Sequence, residues 1–523
     1  MPQYYVEGQR STMAIRSLIT IGSTAIPVDI QCHLSNNIPN IVIVGFANKT
    51  VDEARERLRG AFASSKIELP RKRIIINLAP ADIPKADSGF DIAIAVAILL
   101  ANNAHFNERM EKAIYIGELG LDGTTRAVRG LIGKLMVGRK LGYTEFYIPA
   151  SNLEQARLVP DLQIYPVKTL QQLFQHLSGE KIISPVHTSY NPKEEKLMSH
   201  NVTSHNNYIT FSQISGQSQS KRALEIAAAG GHNILLTGPP GTGKSMLAKA
   251  LPSILPDMTL DEILQVTHLH SLASHDYEQI VTERPFRSPH HSTSHTAVVG
   301  GGSNLKPGEI SLAHHGILFF DEFPEFGRQT LEALRQPLED RQISVSRVRS
   351  SATYPASFIL VATANPCPCG FYGHTNAGSC RCLPQQIVRY QQKLSGPIID
   401  RIDLHTSVHE VDHQTLLTKE VNHGEDMAVR KRVEQARKLQ QQRHPGILNA
   451  ELTNQQLKQF GKITSQAKQL LDTAAGRLHL SARSYMRALK VARTIADLED
   501  SANLSPAHIS EALAYRPQIV SPV

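Results

Sequence analysis

Residues 232–251, HNILLTGPPGTGKSMLAKAL, combine an apolar strand, a glycine-rich turn and a helix, and this stretch decides the fold. The order strand, G-x-x-x-x-G-K-S, helix is that of a P-loop, whose backbone amides face nucleotide phosphates. Gly238, Gly241 and Gly243 would let the backbone fold around those phosphates. The alternative is a glycine turn before an ordinary helix, which does not require the full pattern. The stretch therefore predicts an α/β nucleotide-binding domain for ATP and Mg²⁺.

Two side chains of this turn have predicted roles. Lys244 is expected to contact the β- and γ-phosphates, and the Ser245 hydroxyl to ligate Mg²⁺. The full set of predicted nucleotide contacts is Gly238, Pro239, Pro240, Gly241, Thr242, Gly243, Lys244, Ser245, Met246 and, on a later strand, Asp321.

The segment GILFFDE (316–322) is an apolar strand that ends in two carboxylates. Asp321 is expected to complete the Mg²⁺ shell, and Glu322 to orient and deprotonate the attacking water. A strand that ends in Asp-Glu is common by itself, but downstream of a P-loop it indicates an ATPase. FILVATANP (358–366) is another apolar strand, and its Asn365 is predicted to sense the γ-phosphate and hold the water. The alternative for Asn365 is a turn residue before proline.

The rest of the chain divides around this core. Short β-branched strands alternate with amphipathic helices in the first third of the sequence, for example IVIVGF (41–46), VDEARERLRGAFASS (51–65) and RIIINLAP (73–80). We predict an N-terminal α/β domain over 13–178, a polar linker over 179–208, an ATPase core over 209–411 and a C-terminal helical lid over 412–523.

Four of the five cysteines lie close together, as Cys367-Pro-Cys369 and Cys380-Arg-Cys382. Four thiolates at this spacing can close a tetrahedral structural Zn²⁺ site, although C-x-C is tighter than the usual C-x₂-C. Free thiols are the alternative. His374 is a spare candidate ligand. A catalytic zinc is not expected, because four cysteines leave no open position.

Composition sets the outer limits. Lys plus Arg is 55 and Asp plus Glu is 47, a net charge of +8 that permits nucleic-acid binding without demanding it. The longest apolar run, 92–101, is about half the length of a membrane span. No secretory signal is visible near the N-terminus. We expect a cytoplasmic protein without a membrane partner.

Several motifs together resemble one known family. They are the P-loop, PGEISLAHHGILFFDEFPEF (307–326), ANPCPCG (364–370), SGPIIDRIDLH (395–405) and RPFRSPHHS (284–292). The set is similar to the magnesium-chelatase-like branch of AAA+ ATPases, and more narrowly to the ComM (YifB) family. The resemblance implies a homo-hexameric ring with ATP bound between subunits. It also implies that Arg401 is an arginine finger acting in trans and that Arg483 is the sensor-2 arginine of the lid, with Arg487 as a substitute. A surface ion pair is the alternative for each.

Two segments are candidates for DNA contact. RQISVSRVRSSATYP (341–355) has the alternation of a β-hairpin, and in related ring helicases a hairpin at this place projects into the pore. Arg347 and Arg349 at its tip, with Arg284 and Arg287 of a second loop, would pair with phosphates. The alternative is a solvated hairpin tip.

The N-terminal domain is similar to the proteolytic domain of Lon proteases, a ribosomal-S5-like α/β fold. LAPADIPKADSGFDIAIAVAIL (78–99) and GELGLDGTTRAVRGLIGK (117–134) carry the likeness. Gly89 falls in the slot of the catalytic serine, with Ser88 beside it, and Lys134 falls in the slot of the lysine. Proteolysis is therefore not expected. The domain is expected to support oligomerisation or to contact DNA.

The family resemblance implies an ATP-driven DNA helicase that promotes branch migration during natural transformation. Its partners would be single-stranded and branched DNA, with recombination proteins as further candidates. One alternative is a chelatase-like or protein-remodelling motor that acts on a protein partner. An ATP-dependent protease is the other, which the missing nucleophile opposes.

Overall fold

The computed structural model describes residues 14–45, 49–82, 85, 88–102, 112–188, 209–274, 278–302, 305–347, 350–373, 380–393, 398–411 and 424–516. They belong to two compact units. The first unit is Met1–Val202 with Thr259–Thr282, and the second is Thr203–Met258 with Glu283–Val523.

The elements are numbered along the chain. The strands are β1 (Ala14–Ile21), β2 (Thr24–Ser35), β3 (Asn40–Val44), β4 (Arg73–Ala79), β5 (Ile114–Tyr115), β6 (Glu118–Leu119), β7 (Thr125–Arg126), β8 (Glu145–Pro149), β9 (Leu162–Val167), β10 (Val186–Thr188), β11 (Ile234–Thr237), β12 (Phe286–Arg287), β13 (Gly300–Gly301), β14 (Lys306–Pro307), β15 (Ile317–Phe320), β16 (Gln342–Arg347), β17 (Ser350–Pro355), β18 (Ile359–Ala364) and β19 (Leu404–Ser407). The helices are α1 (Lys49–Ser64), α2 (Asp91–Asn102), α3 (Leu131–Lys140), α4 (Leu153–Arg157), α5 (Leu170–Leu177), α6 (Ser218–Gly230), α7 (Lys244–Ala250), α8 (Leu260–Ala273), α9 (His295–Val299), α10 (Glu309–Leu312), α11 (Arg328–Ala333), α12 (Arg335–Asp340), α13 (Pro384–Lys393), α14 (Gly424–Arg443), α15 (Asn454–Phe460), α16 (Ser465–Arg477), α17 (Ala482–Leu498) and α18 (Pro506–Ala514).

The first unit is built on a mixed sheet of eight strands in the order β10-β9-β8-β5-β1-β2-β4-β3. β1 and β2 form an antiparallel hairpin, whereas β8 pairs in parallel with both β5 and β9. Helix α2 is buried from Asp91 to Leu100, on every face, so the apolar run of the sequence is a core helix of this unit. In the described part of the chain, no helix has the length and apolar character needed to cross a bilayer.

Helix α8 groups with the first unit, although the sequence division places it in the ATPase core. Its His268 is buried against α3, where a Cβ on Gly133 would lie 2.3 Å from the imidazole ring. The His268 ring also contacts the Ser23 carbonyl oxygen at 3.3 Å. This grouping depends on packing between distant segments, which a local pattern does not show.

The second unit has a parallel sheet of five strands in the order β12-β15-β18-β11-β19. The strand before the P-loop, β11, therefore lies between β18 and β19 in the sheet. The ends of β11, β15 and β18 meet at the carboxyl edge of the sheet, where α/β proteins bind ligands. Long C-terminal helices follow, and α14 and α17 share the buried core with α6 and β11. The mixed α/β class and the C-terminal helices are confirmed.

Candidate ATPase site and cysteine cluster

The glycines of the P-loop meet two different requirements. Gly241 and Gly243 have φ values of +80° and +87°, in the left-handed region that side chains disfavour, and a Cβ on either would face open space. Gly238 is required for packing, because a Cβ there would lie 2.3 Å from the Val408 carbonyl oxygen beyond β19. The turn is therefore open at Gly241 and Gly243 and packs closely against the sheet at Gly238.

Lys244 joins the P-loop to the end of β18. Its Nζ donates to the carbonyl oxygens of Gly238 and Pro239, at 2.7 and 2.6 Å, and to Asn365 Oδ1 at 3.1 Å. Burial lowers the pKa of Lys244, and the charges of Asp321 and Glu322 oppose that shift. The structure thus brings Lys244 and Asn365 together, as their predicted roles require.

The predicted magnesium ligands also meet. Ser245 Oγ donates to Asp321, at 2.9 Å from Oδ2 and 3.2 Å from Oδ1. A hydroxyl and a carboxylate in contact are oxygen donors of the kind that Mg²⁺ prefers. The residues present therefore fit the ion that this class of ATPase uses.

Thr363 also contacts the two acidic residues of the site, and the sequence analysis missed it. Its hydroxyl donates to Asp321 Oδ1 at 2.6 Å and accepts from the Glu322 backbone amide at 2.9 Å. Glu322 itself has a φ of 53°, a left-handed conformation at the end of β15 that costs a non-glycine residue energy. The one local signal for Thr363 was a polar residue inside the buried strand FILVATA.

The remaining predicted nucleotide contacts lie in the same turn. Thr242 is buried, and its hydroxyl donates to the Pro239 carbonyl oxygen at 2.9 Å. Pro240 is exposed and approaches Gly370, whereas the Met246 side chain is 45% exposed. Their contact with a nucleotide stays a prediction.

Arg401 and Arg483 lie together at the other edge of the sheet. Arg401 precedes β19, which runs parallel to β11, so it lies at the amino edge, whereas the P-loop follows the carboxyl end of β11. Both arginines contact one carboxylate, Glu339, through Nη2 atoms at 2.8 and 2.7 Å. Burial alone would raise the pKa of Glu339, but Arg401 and the neighbouring guanidinium charges lower it. The sequence analysis missed Glu339 because its position depends on tertiary packing.

Arg487 contacts the backbone of Arg401 and a buried carboxylate, Asp403. Its Nη1 donates to Asp403 Oδ1 at 2.6 Å and to the Arg401 carbonyl oxygen at 2.7 Å. Burial alone would raise the pKa of Asp403, but His232 and Arg487 hold it well below its usual range. Arg487 therefore supports the backbone of Arg401, which is a structural task.

Two predicted DNA contacts are engaged within the chain. Arg287 makes a two-pronged contact with Glu309, at 2.6 and 2.7 Å. Arg284 donates to the carbonyl oxygens of Pro256, His315 and Asp257. These contacts favour a structural role for both arginines, and their contact with DNA stays a prediction.

The predicted hairpin is present as β16 and β17, which pair from Gln342–Pro355 to Arg347–Ser350. Arg347 ends β16, and its side chain lies outside the described residues, as does Arg349. His374, the segment 189–208 of the predicted linker and 412–423 at the start of the predicted lid lie outside them too.

The four cysteines form one cluster, with Sγ atoms within 4.8 Å of one another. The Sγ atom of Cys367 lies 3.3 Å from that of Cys369 and 3.7 Å from that of Cys380, and the Sγ atoms of Cys369 and Cys380 are 3.5 Å apart. A tetrahedral zinc with Zn–S bonds of 2.3 Å places its sulfurs about 3.8 Å apart, so the cluster fits that ion.

Backbone amides also point to these sulfurs. Hydrogen bonds from the Phe371 and Arg381 amides lower the pKa of Cys369 to about 6. Burial and the neighbouring thiols raise the pKa of Cys382 to about 12. Four thiolates this close repel one another, so a divalent cation is the group that would let all four ionise.

The Lon-like slots lie in the first unit. Gly89 is buried, and its carbonyl oxygen accepts from the Gly117 amide at 2.9 Å. Lys134 is fully buried in α3, where its charge helps to lower the pKa of His268, after burial itself. Gly89 offers no nucleophile, and that proteolysis is absent stays a prediction.

The second unit therefore has the core of a P-loop ATPase of the AAA+ class. A lysine and a serine follow the glycine-rich turn after β11, an asparagine directly follows the neighbouring strand β18, and an Asp-Glu pair directly follows the next strand, β15.

Comparisons with known proteins agree. Residues 210–416 match the family described as "Magnesium chelatase, subunit ChlI", residues 30–152 match "Subunit ChlI of Mg-chelatase", and residues 425–516 match the ChlI C-terminal family. "Competence protein ComM" of Haemophilus influenzae is 41% identical, over 97% of this chain and 98% of that protein. "Uncharacterized protein YifB" of Escherichia coli is 41% identical, over 97% of each. The 38 kDa magnesium-chelatase subunit of Rhodobacter capsulatus is 28% identical, over 30% of this chain and 50% of its own. The chain belongs to the ComM (YifB) family of magnesium-chelatase-like proteins.

Proposed function

We propose that this chain is an ATP-driven DNA motor that promotes branch migration of recombination intermediates during natural transformation. The observation that carries the proposal is the 41% identity to a competence protein over 97% of the chain. The contacts of Lys244, Ser245, Asp321 and Asn365 support it, because they bring the parts of an ATPase site together.

In this proposal the side chains share the work of hydrolysis. Lys244 and the P-loop amides bind the phosphates of ATP, and Ser245 and Asp321 hold Mg²⁺, which neutralises charge on the phosphates. Glu322 orients and deprotonates a water, and Asn365 positions that water against the γ-phosphate. Thr363 fixes the position of Asp321 relative to Glu322, because its hydroxyl contacts the Asp321 carboxylate and the Glu322 backbone amide.

The proposed assembly is a homo-hexamer. Arg401 lies at the sheet edge away from its own P-loop, which suits a finger that serves a neighbouring subunit. In a ring, the same edge can face the next nucleotide, and Glu339 holds Arg401 and Arg483 together there. The position of Arg401 therefore supports a site shared between subunits.

Single-stranded and branched DNA are the proposed substrates, with recombination proteins as further partners. The tip of the β16–β17 hairpin, with Arg347 and Arg349, is the proposed phosphate contact. Such contacts would be independent of base sequence and weakened by salt.

We also propose that the cysteine cluster holds one structural Zn²⁺. The sulfur separations of 3.3–3.7 Å and the amides directed at Cys369 support a closed tetrahedral site. Metal analysis of the purified protein should give close to one zinc per chain. A content far below that would contradict the assignment.

The motor is tested with a synthetic four-way junction. The protein should convert it to paired forks only with ATP and Mg²⁺, and Lys244→Ala should not convert it. A protein that hydrolyses ATP but ignores every branched or forked DNA would overturn the DNA proposal. A chelatase-like or protein-remodelling motor, which the chelatase family matches support, would then be preferred.

A further inference from the structure

The cysteine cluster begins two residues after the proposed phosphate sensor. Asn365 directly follows β18 and contacts Lys244 at 3.1 Å, and only Pro366 separates it from the fully buried Cys367. Proline has a fixed φ, so a shift of Cys367 is passed to Asn365 with little flexibility between them.

The helix that follows the second cysteine pair contacts the residues just before the first pair. Helix α13 begins two residues after Cys382, and its Tyr390 is buried. Burial raises the pKa of Tyr390 to about 12, and the nearby Asn365 backbone amide opposes that shift. Gln391 Nε2 donates to the Pro366 carbonyl oxygen at 3.3 Å. The stretches before and after the cysteines therefore contact each other, and the four cysteines lie where a bound ion would tie 365–373 to 380–391.

Gly370, which directly follows the first cysteine pair, lies against the P-loop. Gly370 has a φ of +88°, and a Cβ built on it would lie 2.4 Å from Pro240 Cδ and 2.7 Å from Cγ. Its amide donates to the Cys367 carbonyl oxygen at 3.0 Å, within the first C-x-C turn. The backbone of the cysteine turn thus packs on the proline ring of GPPGTGK.

We propose that the metal-bound cysteine loop is a positioning device for the ATPase site, which sets the P-loop through Gly370 and Pro240 and sets Asn365 through Pro366. Loss of the metal would loosen both sides of the phosphate site at once. This inference rests on the ATPase assignment and on a metal in the cluster. It does not depend on DNA or on ring formation.

The contact is tested with a matched pair of glycine variants. Gly370→Ala places a methyl group against Pro240, whereas Gly373 has a similar φ of +79° and a Cβ on it would have no atom of the described residues within 4 Å. Both changes carry the same left-handed strain, so their difference reports the contact with Pro240. We expect both variants to keep the zinc content of the wild type. Affinity for a fluorescent ATP analogue should fall at least about tenfold in Gly370→Ala alone, the effect of roughly 1.4 kcal/mol.

Linkage gives a readout that needs no turnover. If metal and nucleotide sites are coupled, bound nucleotide must tighten the metal by the same factor by which the metal tightens the nucleotide. We therefore expect the ATP analogue to slow Zn²⁺ transfer to a chelator in the wild type and in Gly373→Ala. In Gly370→Ala that protection should be reduced. Circular dichroism of the chelated protein checks that it stays folded.

Three results would overturn the inference. One is the absence of zinc from a folded protein that still hydrolyses ATP, which would leave the proposed function intact. Another is a chelated, folded protein whose affinity for the analogue is unchanged. The third is equal loss of affinity in Gly370→Ala and Gly373→Ala. Loss of binding in Lys244→Ala is a separate test of the ATPase assignment.

Discussion

Thr363 links the Asp321 side chain to the Glu322 backbone through one hydroxyl, which donates to the Asp321 carboxylate at 2.6 Å and accepts from the Glu322 amide at 2.9 Å. Thr363→Val keeps the shape of the side chain and removes both bonds. A hydrogen bond to a charged group contributes about 1.5–3 kcal/mol, so we expect kcat for ATP to fall roughly 10–100-fold. Nucleotide affinity should change much less, because the phosphate contacts of Lys244 are untouched.

The matched control for this prediction is Thr237→Val. Thr237 ends the neighbouring strand β11, and its hydroxyl donates to the Thr406 carbonyl oxygen at 3.3 Å, away from the carboxylates. Steady-state kinetics of both variants measure the difference. Equal losses in the two would show that the sheet, and not the link between Asp321 and Glu322, is responsible.

At the scale of elements, the β16–β17 hairpin is the proposed grip on DNA. Replacing Arg347 and Arg349 with alanine removes two cationic side chains from its tip. Each lost phosphate contact should reduce the slope of log K against log salt by roughly 0.7–0.9. We therefore expect weaker DNA binding with a shallower salt dependence and an unchanged affinity for ATP.

Fluorescence anisotropy with labelled single strands, at several salt concentrations, measures both quantities. Arg477→Ala is the control, since Arg477 is an exposed cation at the end of α16 and outside the hairpin. A double hairpin variant with the DNA affinity and salt slope of the wild type would remove the hairpin from the proposed interface.

The elements also show how far a sequence can predict this site. Asp321 and Asn365 directly follow strands, Lys244 and Ser245 follow the P-loop turn after β11, and parallel strands bring their carboxyl ends to one edge. Local motifs therefore predict that these residues meet. Glu339 and Thr363 have no such motif, because their partners come from tertiary packing. The grouping of α8 with the first unit depends in the same way on the contact between His268 and Gly133.

At the scale of the whole molecule, buried histidines make stability depend on pH. Burial, helped by the charge of Lys134, lowers the pKa of His268 from 6.5 to about 4. A depressed pKa means that the unfolded chain takes up a proton that the folded chain refuses. The stability contributed above pH 6.5 is then lost as pH falls towards 4.

At pH 5 the loss attributable to His268 is about 2 kcal/mol. His268→Gln removes the titrating group and should lose correspondingly less stability between pH 7.5 and pH 5 than the wild type does. Urea unfolding at the two pH values measures this. The same loss in both proteins would mean that His268 titrates normally in the folded state.

If each ATPase site of a ring is shared between two subunits, two different inactive variants should complement each other. Arg401→Ala should lower turnover roughly 10³-fold or more while it spares nucleotide binding, and Lys244→Ala should abolish turnover by removing the phosphate contact. If Arg401 acts on a neighbour, an Arg401→Ala subunit still has an intact P-loop, and a Lys244→Ala subunit still offers an intact finger. Equal mixing of the two inactive proteins should then restore turnover, up to about a quarter of the wild-type rate if the sites act independently. Each variant mixed with itself is the control. If Arg401 served its own nucleotide, every subunit in the mixture would lack one essential group, and no activity would return.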